Sequence, residues 1–342
     1  MTEKKETLQQ TLNHYHELGI DKQIDYDKFY LYSIITHSTA IEGSTVTEIE
    51  NQLLFDEGIT AKGRTLVEVM MNLDLKAAYE QAMQMAIHHA DLSVETLCRL
   101  SAIVMKNTGS IYHTALGDFS SANGDLRLLN VTAGIGGRSY LSYQKVPAAL
   151  EQFCQTLNER RKQVKTWWEA YQLSFDAHYE LVTIHPWADG NGRMSRLIMN
   201  YIQFEFGLIP MRVLKEQKLD YIDALNQTRD KEDLSIFRKV MTDLHIANLR
   251  QEITAFEREE KKGGQKTSKG GQKNSKGGQK TSERILTYLA SNPKASRKEL
   301  SEQMSIAQSA IQKHLKALQL QGLLVRIGPN KGGYWEVVQN VI

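Results

Sequence analysis

The chain has 342 residues, 41% hydrophobic and 24% charged, with a net charge of +2. This length exceeds one ordinary core and implies two or more domains, and the balance is that of a soluble globular protein. The small net charge says nothing global about nucleic-acid or membrane partners, so local charge must carry any such argument.

Cys98 and Cys154 are the only cysteines and lie far apart, which points to reduced buried thiols rather than a disulfide framework or structural zinc. The start, Met1-Thr2-Glu3-Lys4-Lys5-Glu6, lacks the apolar run of a signal peptide. No stretch approaches a membrane span, so no membrane partner and a cytoplasmic location are expected. The sequons at Asn130 and Asn226 are then coincidental.

In chain order, a helix is expected from about Tyr26, ending on Gly43 as its cap, with Glu42 solvated beside it. Leu66, Met70, Leu73 and Ala77 step by three and four and mark another helix. Gly124 to Tyr143 breaks the helical pattern with glycines and β-branched residues, and reads as a short hairpin or extended flap. Ala170, Leu173, Ala177, Leu181 and Ile184 again trace one helical face, as do Leu197, Ile198, Tyr201 and Ile202 after a glycine turn. From Lys262 to Ser282 the heptad Lys-Gly-Gly-Gln-Lys-(Thr/Asn)-Ser occurs three times. With nothing apolar to bury it reads as a tether, and its lysines can also meet phosphates. No Gly-x-x-x-x-Gly-Lys-(Ser/Thr) is present, so a P-loop is excluded.

The turn itself carries chemistry. His185-Pro186-Trp187-Ala188-Asp189-Gly190-Asn191-Gly192-Arg193-Met194-Ser195-Arg196 ends one helix and starts another, near Ile184 and near Arg193. Glycines let backbone amides approach a ligand, and a helix start presents unpaired N–H groups to an anion. Arg193 and Arg196, one helical turn apart, add two guanidinium forks suited to a polyphosphate. His185 is a candidate general base, and Asp189 a hard oxygen ligand for Mg2+. Any one of these residues could merely pack, cap or pair on the surface, but such roles do not call for the whole set in twelve residues.

This segment resembles the signature of the Fic family, His-x-Phe-x-(Asp/Glu)-Gly-Asn-Gly-Arg-x-x-Arg, with Trp187 where phenylalanine is usual. The resemblance implies a mainly α fold, a helical Fic-type core with a short β-hairpin flap. It also implies transfer of AMP from ATP to a Ser, Thr or Tyr hydroxyl of a target protein, the chain itself included. His185 would deprotonate the hydroxyl, and Asp189 would hold Mg2+ on the phosphates. Gly190, Asn191 and Gly192 would cradle oxygens, and Arg193 and Arg196 would hold the β/γ end. Gly124-Asp125-Leu126-Arg127, with Val131 and Gly134, resembles the family's flap, on which Leu129, Asn130, Val131 and Thr132 would position the target by main-chain pairing. Ser38-Thr39-Ala40-Ile41-Glu42-Gly43 resembles the inhibitory motif (Ser/Thr)-x-x-x-Glu-(Gly/Asn). Ser38, Glu42 and Gly43 would then form a brake in which Glu42 pairs with Arg196 and blocks the γ-phosphate site.

After the tether, Ile285, Leu286 and Leu289 mark a helix, and Ser296-Arg297-Lys298-Glu299 and Ser305-Ile306-Ala307-Gln308 read as capping boxes of two more. The last would bury Ile311, Leu315 and Leu318 and present Gln308, Ser309, Gln312, Lys313 and Lys316. Strands at Leu323–Ile327 and from Tyr334, around a basic glycine turn containing Lys331, complete a small winged helix-turn-helix. Such a unit binds DNA or protein, and those six polar residues are the candidate DNA contacts.

The expected organisation is a helical region with the inhibitory motif over 1–90, a Fic core over 91–258, a basic linker over 259–282 and a winged helix over 283–342. The leading reading is an autoinhibited protein adenylyltransferase, with a homo-oligomer compatible with it. The alternatives are a DNA-binding regulator with a nucleotide-sensing core, or a Fic enzyme that removes AMP or uses another nucleotide donor.

Overall fold

The structure, a computed structural model, describes residues 2–133, 137–266, 277–304, 311–312, 314–315, 318, 324–327 and 334–337, without the side chains of 259–266, 277–283 and 326. Among these residues, no helix is long and apolar enough to cross a membrane. The chain divides into two compact units, Met1–Glu257 and Arg258–Ile342.

The first unit is helical: α1 (Thr2–Glu17), α2 (Tyr26–Ile41), α3 (Glu48–Glu57), α4 (Leu66–Ile87), α5 (Val94–Val104), α6 (Val146–Gln163), α7 (Trp167–Ile184), α8 (Asn191–Glu205), α9 (Lys218–Lys231) and most of α10 (Leu234–Lys266). Local signals set several starts. Thr47, Thr65 and Thr166 each form a reciprocal capping box with the glutamate three residues on, which satisfies otherwise orphaned amides at the starts of α3, α4 and α7. Helices α7 and α8 pack together in the centre, burying Phe175, Leu181, Leu197, Ile198 and Tyr201 completely. On α4, the fully buried Ala78, Ala82 and Ala86 recur every four residues, and their small side chains permit close approach of the neighbouring helices.

A buried polar cluster fixes the end of α2. Asn72 on α4 accepts hydrogen bonds from Thr39 on α2 and Asn51 on α3, both at 2.8 Å, while Asn51 also donates to Thr36 at 2.7 Å. Asn72 donates in turn to Ser44, just past α2, at 3.2 Å. Each of these groups would be costly to bury alone, so these bonds favour one arrangement of the three helices, with Asn51 Oδ1 left without a donor among the described residues. The cluster holds the Ser38–Gly43 segment in place.

The extended segments differ from expectation. A two-stranded hairpin, β1 (Ile111–Thr114) with β2 (Gly117–Ser120), lies outside the region read as a flap. Four-residue strands are too short to display alternation, which is why the sequence did not reveal them. The flap itself is a loop closed by one antiparallel bridge, Thr132 to Ser139, flanked by Ala133 N–H to Arg138 O and Tyr140 N–H to Val131 O, both at 3.0 Å. Gly134 lies outside the described residues.

In the second unit, α11 (Gly277–Ser291) and α12 (Arg297–Met304) precede helical backbone at 311–312, 314–315 and 318, followed by β3 (Leu324–Ile327) paired antiparallel with β4 (Tyr334–Val337). Ile285, Leu289, Leu300, Met304, Ile311, Leu315, Leu318 and Leu324 form its core, with Leu286 partly buried against it. The expected capping box at Ser296 is present, with Ser296 N–H donating to Glu299 at 2.7 Å and Glu299 N–H donating back at 3.2 Å. The capping box expected at Ser305 lies outside the described residues. Helical backbone enters the segment read as a tether from both sides, through Lys266 and from Gly277. Lysine and glutamine are good helix formers, and the absence of apolar residues does not prevent a helix from extending past its packed part.

Candidate active site

Helix α7 ends and α8 begins within the turn 185–190, and its geometry depends on two residues in unusual backbone conformations. His185 takes the left-handed conformation (φ 53°, ψ 62°) as the C-cap of α7, and its N–H still reaches Leu181 O at 3.1 Å. Gly190 (φ 81°) is the N-cap of α8, which therefore starts at Asn191, two residues earlier than periodicity suggested. A Cβ on Gly190 would lie 2.8 Å from the Met105 sulfur, so both conformation and space require glycine.

The loop between them is held from inside. Trp187 is fully buried, and its indole N–H donates to Gly124 O at 3.1 Å. The indole thus occupies an apolar pocket while its polar edge is satisfied, which a phenylalanine there would not require. Asn191 closes a ring on the Trp187 backbone, accepting from its N–H at 3.1 Å and donating to its carbonyl at 2.8 Å. The Asn191 side chain thus shapes the turn, leaving the amides of the α8 start to face outward.

Both arginines of the turn are buried. Arg196 donates Nε to Ser38 Oγ at 2.8 Å and Nη2 to Ser38 O at 3.0 Å. Its Nη2 also meets Glu42 Oε1 at 2.6 Å, and Nη1 lies 3.5 Å from the Tyr221 hydroxyl. Arg193 is poorly matched by comparison. Its Nη2 contacts the Met105 sulfur at 2.9 Å, its Nη1 lies 3.4 Å from Val104 O, and Asp189 is 3.7 Å away. Its Nε finds no acceptor among the described residues. A buried guanidinium so weakly satisfied is a strong attractor for an anion.

Glu42, the C-cap of α2, supplies an anion to this region. A Cβ built on Gly192 would come within 2.7 Å of Glu42 Oε1, so the carboxylate rests on the first turn of α8. Burial alone would raise its pKa, but the Arg196 charge and hydrogen bond, with Arg193 and Lys218 adding, outweigh it and hold it below the ordinary value. A third of the side chain remains exposed, so the carboxylate spans from the surface to a buried guanidinium. Gly43 follows at φ 106°, a conformation that favours glycine.

His185 lies on the other flank. Its Nδ1 approaches Val182 O at 3.3 Å. A carbonyl only accepts, so Nδ1 carries the proton and the neutral ring keeps its lone pair on Nε2. Burial pushes its pKa down to about 4, with Arg127 and Arg229 contributing in the same direction. The ring is therefore neutral at physiological pH and able to accept a proton. Asp189 is half-exposed, and its Oδ1 accepts from Gly190 N–H at 2.6 Å. Among the described residues no cluster of three or more metal-ligating side chains occurs. One exposed carboxylate suits Mg2+ that takes its remaining ligands from water and phosphate, and does not suit a metal held by the protein alone.

The flap is tied to this site through Arg127, buried to 1% exposure. Its Nε donates to His185 O at 2.7 Å, its Nη1 to Leu129 O at 2.7 Å, and its Nη2 to Leu141 O. Its backbone N–H bonds Pro186 O at 3.0 Å. One guanidinium thus joins both arms of the flap, at Leu129 and Leu141, to the backbone of His185. Asn130 Oδ1 accepts from Tyr143 N–H at 3.0 Å, closing the base of the flap.

The structure thus brings Ser38, Glu42, His185, Asp189, Gly190, Asn191, Gly192, Arg193 and Arg196 to one place. Sequence reasoning assigned no role to Tyr140, Tyr221, His178 or Arg229, because tertiary packing alone brings them here. Tyr221 contacts Arg196 and lies 3.0 Å from His178 Nε2. Of the candidate DNA contacts, Gln308, Ser309, Lys313, Lys316 and Lys331 lie outside the described residues. Gln312 is exposed and accepts from Arg297 at 3.1 Å.

Known proteins resemble parts of this chain. Residues 91–203 match the Fic/DOC family, and residues 279–325 match a family described as winged helix-turn-helix DNA-binding. Protein adenylyltransferase fic-1 of Caenorhabditis elegans is 22% identical over 221 residues, covering 64% of this chain and 40% of the relative. Protein adenylyltransferase Fic of Aedes aegypti is 26% identical over 210 residues, covering 61% and 39%. The chain therefore spans about 40% of the length of these curated relatives. Among solved structures, a Fic domain containing signaling protein from Bacteroides thetaiotaomicron superposes with a TM-score of 0.61 at 22% identity, covering 73% of this chain and 98% of the other. A Fic family protein from Desulfovibrio desulfuricans gives 0.56 at 15% identity, covering 98% and 97%. These likenesses establish the fold.

Proposed function

With residues 91–203 forming a Fic domain and a winged helix-turn-helix following it, we propose that the chain is a protein adenylyltransferase held in a resting state by Glu42. The reaction moves AMP from ATP to a Ser, Thr or Tyr hydroxyl of a target protein. The observation that carries this reading is the anion site at the start of α8. Its two buried guanidinium groups lie beside a neutral imidazole, and the Glu42 carboxylate rests on its first turn.

In the reaction, His185 Nε2 accepts the proton of the target hydroxyl as its oxygen attacks the α-phosphorus. The bond to the β-phosphate breaks, and pyrophosphate leaves. The amides of Gly190, Asn191 and Gly192 and the forks of Arg193 and Arg196 receive the phosphate oxygens. Arg193, weakly satisfied in the resting chain, gains acceptors when polyphosphate binds. Asp189 is the residue that would hold Mg2+, which when bound neutralises phosphate charge. The flap residues 129–132 align the target segment beside His185. Catalysis belongs to residues 91–258 and the brake to residues 1–90. The unit beyond 282 recruits or regulates, with DNA as its proposed partner.

Incubation with α-labelled ATP and Mg2+ tests the reading. Glu42→Gly should label target or chain strongly, wild type weakly, and Glu42→Gly with His185→Ala not at all. Equal labelling in all three would sink it.

A further inference from the structure

The flap residue Tyr140 lies over His185 with ring centroids 3.8 Å apart and planes at 19°. The guanidinium of Arg229 from α9 also packs over the phenol, 4.7 Å from the ring centroid. A second contact ties the two elements together, since Arg138 of the flap pairs with Asp230 of α9 at 3.1 Å. Both partners of that pair are well exposed, so the ring contacts are the stronger link. The flap phenol thus meets both an imidazole from the end of α7 and a guanidinium from the C-terminal turn of α9. Among the described residues, no other aromatic ring competes with Tyr140 for the face of His185.

We propose that Tyr140 is a positioning residue for the transfer step. Its ring, clamped by Arg229, screens one face of the His185 imidazole from water. It also keeps the ring in the orientation that commits Nδ1 to Val182 O and leaves Nε2 as the base. Among the described residues, the only hydrogen bond the structure gives the ring is the long one from Nδ1 to Val182 O at 3.3 Å, so face-on packing adds to its order. The charged groups around the imidazole are Arg127 of the flap, Arg229 of α9 and Glu42 at the end of α2, with the Val182 carbonyl on its own helix. The two arginines disfavour the imidazolium, and Glu42 and the carbonyl favour it. Burial is the largest influence, and Tyr140 covers one face of the ring.

The inference rests on His185 being the base of the proposed reaction, but its primary readout does not need activity. Histidine-labelled protein is titrated by NMR, with the His185 signal assigned through His185→Asn, in wild type, Tyr140→Phe, Tyr140→Ala and Arg229→Gln. Tyr140→Ala should raise the His185 midpoint from about 4 by at least one unit toward the free value of about 6.5. Tyr140→Phe keeps the ring and should stay within about half a unit of wild type. Arg229→Gln should raise the midpoint by less than Tyr140→Ala, and it tests the clamp with an α9 residue should the alanine variant fold poorly. In a Glu42→Gly background, the acid limb of AMP transfer should move with the midpoint. Unchanged midpoints in both Tyr140→Ala and Arg229→Gln would overturn the proposal. Midpoints that shift as stated, with no transfer in any background, would uphold the positioning role and overturn the transferase reading instead.

Discussion

Replacing Glu42 tests the resting-state brake most directly. Its carboxylate makes one charge-assisted hydrogen bond, 2.6 Å to Arg196 Nη2, and lies on the first turn of α8. A bond of this kind contributes about 1.5–3 kcal/mol, and the lower end applies to a side chain one-third exposed. The helix start adds about 0.5 kcal/mol for an anion at its first turn. In the proposed reaction ATP displaces this contact to use Arg196, so about 2 kcal/mol would oppose productive binding, or roughly 30-fold in apparent affinity. Glu42→Gln keeps the size and removes the charge, so it separates the latch from any effect on the α2 cap. Calorimetric titration with ATP and Mg2+ should show both Glu42→Gly and Glu42→Gln binding roughly 10- to 100-fold more tightly than wild type. Labelling from α-labelled ATP should rise in parallel. The pH behaviour follows from the lowered pKa. The ion pair is fully formed above the ordinary carboxylate value of 4.5 and is lost only as pH falls through the lower folded value, so the latch is charged throughout the neutral range. Unchanged ATP affinity in both variants would refute the reasoning.

Further outcomes follow from the same structure. Gly190→Ala forces a side chain into φ 81° and within 2.8 Å of the Met105 sulfur, and should cost about 1–3 kcal/mol by denaturant melts along with ATP binding. Arg127→Ala leaves three carbonyls without their donor and releases the flap from His185, so stability should drop by at least about 2 kcal/mol. Transfer in a Glu42→Gly background should then fall more than ATP affinity does. The buried His178 and His245 have pKa values near 3 through desolvation, whereas unfolded histidine takes up a proton near 6.5. The unfolded state therefore binds more protons between these values. Melting temperature should be highest above about pH 6.5 and decline as pH falls toward 3, and a flat profile over that window would contradict the burial. For the second unit, binding to duplex DNA should weaken steeply between about 50 and 200 mM salt, and absence of binding at low salt would remove DNA as its partner.

The signature turn was legible because its chemistry is local. Twelve consecutive residues contain two glycines, two arginines, a histidine and a carboxylate, and helix starts impose their anion preference through backbone geometry alone. Helices α7 and α8 were legible for a similar reason, since the apolar spacing from Ala170 to Ile184 records one buried face, whereas on α4 the spacing at Leu66 to Ala77 marked a helix but not its buried face, which Val69, Leu75, Ala78 and Tyr79 form instead. Gly190 announced a special turn, though not that Met105 is what excludes a Cβ there. The hairpin at Ile111–Ser120 left no such record, because four-residue strands carry too little pattern.

By itself the sequence determined a helical, two-part chain with a polyphosphate turn, and it placed Glu42 in a motif that implied a partner in Arg196. Only the tertiary structure decided which side chains meet across long separations. Asn72 and Asn51 hold the end of α2 so that Glu42 reaches Gly192 and Arg196, the latter 154 residues away in the chain. Arg127 joins the flap to His185, and Arg229 and Tyr140 cover its imidazole. Asn51, Asn72, Tyr140 and Arg229 belong to no short motif that names a partner, and their roles arise from packing of separate elements. That is the physical limit of a one-dimensional reading: spacing encodes which face of an element is buried, whereas the site is made where the faces of several elements converge.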